Sequence, residues 1–289
     1  DGANAENNLI VDLGKYINEP EIGIPDWETS MDPILLDETK GFTDGLTHYV
    51  TLVRTGPILF YNKTIFDELG LKVPTTWTEL AETAKTISEK KPGVYGYAAD
   101  SLTDMMLSLI MQGGSEYIDT AAKEAKIDNE ITLNALKWYG KGVQEGYFMA
   151  APTVDYYSND MNNQLVAMYI GSCAGVPYLF PAENNWELGL AAIPQEGVER
   201  WYPAWNRGAF VFKSNENQEK GAYLFIKFFI QPENDLRFIQ SVIALSPYYG
   251  VQQQPAYDEL VAANPALQAL TDCLPDAGFL PLVAGASVV

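Results

Sequence analysis

Apolar positions along this chain fall into two periods. Alternation rich in β-branched and aromatic residues marks short strands over residues 49–53, 58–61, 94–98, 166–170, 188–193 and 209–212. Between them the spacing lengthens to that of amphipathic helices. The clearest helix follows Pro74, where Thr76 is placed as N-cap and Glu79, three residues on, can complete a capping box. Trp77, Leu80, Ala84 and Ile87 then share one face as far as about Lys90. Leu133, Leu136 and Tyr139 carry the helical period over 131–145, ending near Gly146. A further helix over 218–230 starts at the turn beginning with Ser214 and is stopped by Pro232. Strands alternating with helices argue for parallel-sheet α/β lobes.

Composition narrows the class. A chain of 289 residues exceeds the usual size of a single core, so two lobes are expected. No apolar run approaches the ~20 residues needed to span a bilayer. A formal net charge of -20 repels phosphate backbones and anionic headgroups, which argues against nucleic acid or a membrane surface as partner. Cys173 and Cys273 form no CxxC, and His48 is the only histidine. Neither a redox motif nor a zinc site is readable, and no cofactor or metal is expected. A disulfide joining the two cysteines stays open. The segment from Asp1 to Asn8 has no basic n-region, apolar stretch or lipid-accepting cysteine, so an export signal is not expected within it.

Four segments carry a resemblance. The run from Thr55 through Gly56-Pro57-Ile58-Leu59-Phe60-Tyr61-Asn62-Lys63 to Thr76-Trp77-Thr78-Glu79-Leu80 resembles a signature of family 1 extracellular solute-binding proteins of ABC importers, the group of maltose-binding and glycerol-3-phosphate-binding proteins. Asn163 to Ser172 is similar to that family's "G-x-x-A-M" strand and turn, and Trp186 to Pro194 to the strand after it. Gly208 to Asn234 resembles the segment crossing between lobes, followed by Ser246-Pro247-Tyr248-Tyr249-Gly250. The resemblance implies an α/β fold of the periplasmic-binding-protein type II class, two lobes joined by hinge strands. It assigns residues 1–54 and 206–245 to a first lobe and 55–205 with 246–289 to a second. Against the family pattern both ends look truncated, the opening strands of the first lobe and the helices beyond Leu280 being expected absent.

By resemblance, a small polar solute binds where the lobes meet and is released unchanged to permease subunits. Thr55 stands at the first crossover. Ser101 and Thr103 follow the strand over 94–98 at a helix N-terminus, where capping competes with ligand contact. Ser172 repeats that geometry in a small-residue turn. Trp205, Asn206 and Arg207 lie at the second crossover, and Tyr248 lies in the turn that in the family contributes a tyrosine. For each, a bland reading exists: backbone-satisfied hydroxyl, cap, core aromatic or surface ion pair. The loop after 94–98 lacks the family's aromatic, and Ala174 stands near a tryptophan of maltose-binding relatives.

The expected function is therefore capture of a sugar or related polar molecule for ABC-type import by a monomeric, non-enzymatic protein. It would be located outside the cytoplasm, as a periplasmic protein or as a cell-surface lipoprotein. An anionic polyol such as glycerol 3-phosphate, or a sugar acid, is the alternative if Arg207 grips the ligand bidentately. A carbohydrate-active hydrolase is the alternative from another class, with Asp100 and Asp104 as a carboxylate pair. Abundant acidic residues give that pair little weight.

Overall fold

The computed structural model describes residues 2–42, 44–119, 122, 124–150 and 156–279. In chain order its main elements are helix α1 (Pro33–Thr39), strands β1 (Val50–Thr55) and β2 (Pro57–Asn62), and helices α2 (Lys63–Leu69) and α3 (Trp77–Lys90). Strand β3 (Ala98–Ala99), helices α4 (Leu102–Gln112) and α5 (Glu130–Gln144), and strands β4 (Met168–Ser172), β5 (Leu188–Ala191) and β6 (Trp205–Ala209) follow. Helices α6 (Glu216–Phe229), α7 (Pro232–Val242), α8 (Pro255–Ala263) and α9 (Pro265–Cys273) come last.

These elements form two units. One comprises Asp1–Thr55, Trp205–Asn264 and Gly278–Val289; the other comprises Gly56–Ala204 and Pro265–Ala277. Residues 246–264, expected in the second lobe, thus belong to the first unit. The cause is visible at Tyr248, which bridges Met31 and lies in one core with Val251, while Tyr257 and Leu260 of α8 pack against it. Residues 280–289 of that expected segment lie outside the described residues.

In the first unit β1 pairs antiparallel with β6, from Val50↔Ala209 to Thr55↔Trp205, with an irregularity between Thr51 and Val53. On its other edge Arg54 bridges Leu245. With both edges occupied, β1 is buried along almost its whole length, its polar Thr51, Arg54 and Thr55 included. The strand expected over 209–212 is displaced, because the regular ladder ends at Ala209. Beyond it the partner changes: the Val11 N–H donates to the Val211 carbonyl at 2.8 Å, and Ile10 bridges Phe212.

In the second unit the sheet order is β3-β4-β2-β5. Pairing of β2 with β4 and with β5 is antiparallel, and only β3 with β4 is parallel. The expectation of parallel sheets is corrected accordingly. Alternating strands and helices force parallel pairing only when sequential strands are neighbours, and here β2 pairs with strands from more than a hundred residues later in the chain. The strand expected over 94–98 shrinks to Ala98–Ala99 because Gly96 lies flat on α3, where a Cβ would stand 2.2 Å from the Ala84 backbone. Tyr95 and Tyr97 take separate partners, Val166 and Phe148.

Helix α3 forms as its sequence dictates. The Glu79 N–H donates to Thr76 Oγ1 at 3.1 Å and the Thr76 N–H to Glu79 Oε2 at 3.3 Å, while Trp77, Leu80, Ala84 and Ile87 are buried. Gln112, fully buried at the end of α4, ties this helix to the loop after β5. Its Oε1 accepts from Trp77 Nε1 at 2.8 Å and from the Glu196 N–H at 2.9 Å, and its Nε2 donates to the Trp201 carbonyl at 2.9 Å. A satisfied buried amide of this kind specifies one packing arrangement.

Gln112→Leu strands the donors of Trp77 and Glu196, at about 1–3 kcal/mol each, whereas Thr76→Ala removes a cap at about 1 kcal/mol. Urea unfolding is expected to rank Gln112→Leu as clearly the more destabilising. Equal midpoints would remove Gln112 from this role.

Candidate functional site

Polar side chains gather in each unit at strand ends. In the first unit, antiparallel register sets Asn206 opposite Arg54 and Trp205 opposite Thr55. Thr55 is 8% exposed, and its Oγ1 donates to the Trp205 carbonyl at 2.7 Å, so its hydroxyl proton cross-links the strand ends. Asn206 Nδ2 donates to Glu38 Oε2 at 2.6 Å, while Asn206 Oδ1 is buried with no hydrogen-bond partner among the described residues. Trp205 is half-buried and Arg207 is exposed.

Glu38, buried on α1, has its pKa raised to about 7 by desolvation, with the Asn206 hydrogen bond and the Arg54 charge pulling it back. The Tyr49 phenol is likewise raised, first by burial and then by the nearby Glu38 carboxyl, with Arg207 acting the other way. Glu38, Tyr49, Arg54, Asn206 and Arg207 therefore form one electrostatically linked group. Sequence reasoning missed Glu38 and Tyr49. The only signal available was an acid one turn after Ile34 and Leu35 on a short helix, and sequence does not separate Glu38 from the neighbouring exposed Asp37.

Tyr248 adjoins this group, its phenol pushed up by burial first and then by Asp235 and Tyr49. Its side chain is 6% exposed in the core of the first unit, and its hydroxyl donates to the Thr51 carbonyl at 2.6 Å. Ser246 supports it, since Oγ accepts from the Tyr248 N–H at 3.1 Å and donates to the Asp235 carboxylate. In this structure it is a residue of the first unit's core. Burial of the ring requires a partner for the hydroxyl, and a strand carbonyl supplies it.

In the second unit, parallel pairing of Ala98↔Tyr169 and Ala99↔Ile170 brings Ser101 and Ser172 to the same sheet end. Both act as caps: Ser101 Oγ accepts from the Asp104 N–H at 3.2 Å and Ser172 Oγ from the Ala174 N–H at 3.3 Å. Each hydroxyl proton lies outside these capping bonds. Thr103 is exposed on the first turn of α4. Asp100 lies beside them, its Oδ1 accepting from the Tyr157 N–H at 2.8 Å. Burial raises its pKa to about 7. Gly171 is what admits it, because a Cβ there would stand 2.2 Å from Asp100 Oδ2.

Two surface depressions of the second unit, about 410 and 260 Å³, are lined by Leu71 to Thr86 and by Trp77, Ile131 and Trp138 with their neighbours. Neither includes a residue expected from the sequence to contact ligand. Among the described residues no cluster of three or more metal-ligating side chains occurs, and no helix is long and apolar enough to cross a membrane.

The raised carboxyls set a pH dependence. Folded Glu38 and Asp100 hold protons to about pH 7, whereas the unfolded chain releases them near 4.5 and 3.8. Unfolding thus releases protons within this window, so these groups make stability fall as pH rises from about 4 to about 7, with no further change above. Melting temperature is expected to be higher at pH 5 than at pH 7.5, and Glu38→Gln, which keeps an acceptor for Asn206, is expected to flatten the profile. An unchanged profile in Glu38→Gln would show that Glu38 is already ionised in the folded chain.

Residues 2–269 match the model of the bacterial extracellular solute-binding protein family. A candidate binding protein of Brucella abortus (strain 2308) is 25% identical over 268 residues, covering 89% of this chain and 62% of the relative. The chain thus spans under two thirds of the length of that curated relative. The GacH receptor of Streptomyces glaucescens, solved unliganded and with acarbose, superposes at a TM-score of 0.79 with 20% identity, over 99% of this chain and 72% of that one. UgpB from Mycobacterium tuberculosis, solved with glycerophosphocholine, superposes at 0.81 with 21% identity, over 96% and 70%. The fold is that of the type II periplasmic binding proteins, an α/β class. On the family match across most of its length, the chain belongs to the bacterial extracellular solute-binding proteins.

Proposed function

We propose that the chain captures a small polar solute of the sugar or polyol type outside the cytoplasm and passes it unchanged to the permease subunits of an ABC importer. The observation that carries this reading is Asn206. Its amide nitrogen is held by Glu38, and its Oδ1 is a buried acceptor without a partner. A buried unsatisfied acceptor costs about 1–3 kcal/mol, a cost that a ligand hydroxyl would recover if ligand entry opens access to Oδ1. Trp205, the half-buried residue before it in the strand, is the aromatic proposed to meet the C–H surface of a sugar.

The first unit offers Thr55, Trp205, Asn206 and Arg207; the second offers Ser101, Thr103 and Ser172, with Asp100 beside them. Acarbose and glycerophosphocholine, bound by the GacH and UgpB neighbours, guide the choice of ligands to test. The binding protein acts as a monomer, in the periplasm or lipid-anchored at the cell surface, without nucleic acid as partner. A second reading, an anionic polyol or sugar acid, is favoured by one feature: Arg207 is exposed and close enough to Tyr49 to act on its phenol. A guanidinium there can take a phosphate or carboxylate with two parallel hydrogen bonds.

A thermal-shift and calorimetry series on the full-length protein separates the readings. Maltooligosaccharides, monosaccharides, glycerol 3-phosphate and glycerophosphocholine form the panel; a ligand at 100 times its Kd stabilises by about 2.7 kcal/mol. A neutral sugar is expected to raise the melting temperature. Asn206→Ala should weaken it at least about tenfold, the loss of ~1.4 kcal/mol. Stabilisation only by the phosphorylated compounds, abolished in Arg207→Gln, would select the second reading. Undiminished sugar affinity in Asn206→Ala would overturn the assignment of that residue.

A further inference from the structure

The two cysteines, far apart in sequence, meet at one end of the second unit's sheet. Cys173 opens the turn that follows β4; its N–H donates to the Gly56 carbonyl at 2.9 Å, just beyond the pair Pro57↔Ser172. Strand β5 lies on the other side of β2, with Leu59↔Ala191, so the chain after it runs past the same end of β2. There Cys273, the last residue of α9, takes a backbone hydrogen bond from Ile193. Helix α9 packs against β2, β5 and the turn Cys173–Tyr178. Both sulfurs are thus anchored to backbone flanking one point, the start of β2.

Both residues are thiols in this structure and both are buried, Cys173 at 0% and Cys273 at 3% exposure. Burial is the first cause that pushes their pKa values to about 11 and about 12, and Cys173 is among the groups that raise Cys273. Thiols in such surroundings carry little thiolate and react slowly with bulk reagents while the fold is intact.

We infer that Cys173 and Cys273 are a disulfide-forming pair, a covalent staple that fastens α9 to the turn after β4. The oxidant is a small disulfide such as oxidised glutathione. One protein thiolate attacks a sulfur of that disulfide, breaking its S–S bond and expelling one glutathione thiolate. The second protein thiolate then attacks the protein sulfur of the mixed disulfide and expels the other. Two protein thiols are oxidised, one small disulfide is reduced to two thiols, and both protons go to the leaving thiolates. The staple closes a loop of roughly 100 residues, a length at which constraint of the unfolded chain is large. Its formation in the cell rests on the extracytoplasmic reading, because oxidising compartments sustain such bonds; its formation in vitro does not.

The full-length protein is refolded from urea in a glutathione redox buffer, so that the oxidant reaches both thiols before they are buried, then denatured and labelled with a polyethylene-glycol maleimide that reports each remaining thiol as a gel shift. The expected result is a monomer that loses both labels, regains both after dithiothreitol, and melts several degrees higher when oxidised. Cys173→Ser and Cys273→Ala, each confirmed as folded by circular dichroism, should keep one labelled thiol and show no oxidation-dependent melting shift. Two labels persisting after oxidation, a stable glutathione adduct, or crosslinking only into dimers would each overturn the inference. A failure here leaves solute binding intact, whereas a failed ligand panel leaves the thiol count unaffected.

Discussion

The pairing of β1 with β6 is the constraint on which the chemistry of the first unit depends. Its register, Arg54↔Asn206 and Thr55↔Trp205, places an amide where Glu38 can reach it and leaves the Thr55 hydroxyl to cross-link the strand ends. Leu245 closes the opposite edge of β1. A strand held on both edges moves little, so the polar groups along it are arranged before any ligand arrives. Preorganisation of this kind lowers the ordering that binding would otherwise require. The irregularity between Thr51 and Val53 has a consequence of its own, since the Thr51 carbonyl meets the Tyr248 hydroxyl and so joins β1 to the chain after α7.

Charge is distributed on two different terms. Most carboxylates are solvated at the surface, and pairs such as Lys63 with Asp67 and Glu187 are exposed and contribute little to stability. Glu38, Asp100 and Asp235 are different. Burial pushes all three upward, Asp235 to about 6, and each is retained by a specific hydrogen bond: from Asn206, from the Tyr157 N–H and from the Ser246 hydroxyl. Two of these acids lie among candidate ligand residues and the third supports the core around Tyr248. A formal charge of -20 assumes all of them ionised, which is not their condition at mildly acidic pH.

What sequence pattern conveyed well was local. The capping box at Thr76 and Glu79 and the apolar face of α3 were readable because every atom involved lies within a few turns of chain. Helices α5 and α6 were readable for the same reason, and so was most of β2. What pattern could not convey was pairing. Alternation marks a strand without naming its partner, so the parallel expectation failed where β2 meets β4 and β5. The strand over 94–98 failed because Gly96 serves helix packing and not the ladder. For Ser101 and Ser172 the sequence offered capping and ligand contact side by side, and the fold shows the capping bonds.

The chain's own sequence determined its helices and its membership in a solute-binding family, both being properties of residue order over short, contiguous windows. Tertiary structure alone decided that Tyr248 lies in the first unit's core, that residues 246–264 pack in the first unit, that Glu38 is the partner of Asn206, and that Cys173 faces the same sheet end as Cys273. Each of these joins groups far apart along the chain. Their proximity and desolvation arise only when distant strands come into register, and no periodicity in the sequence records that.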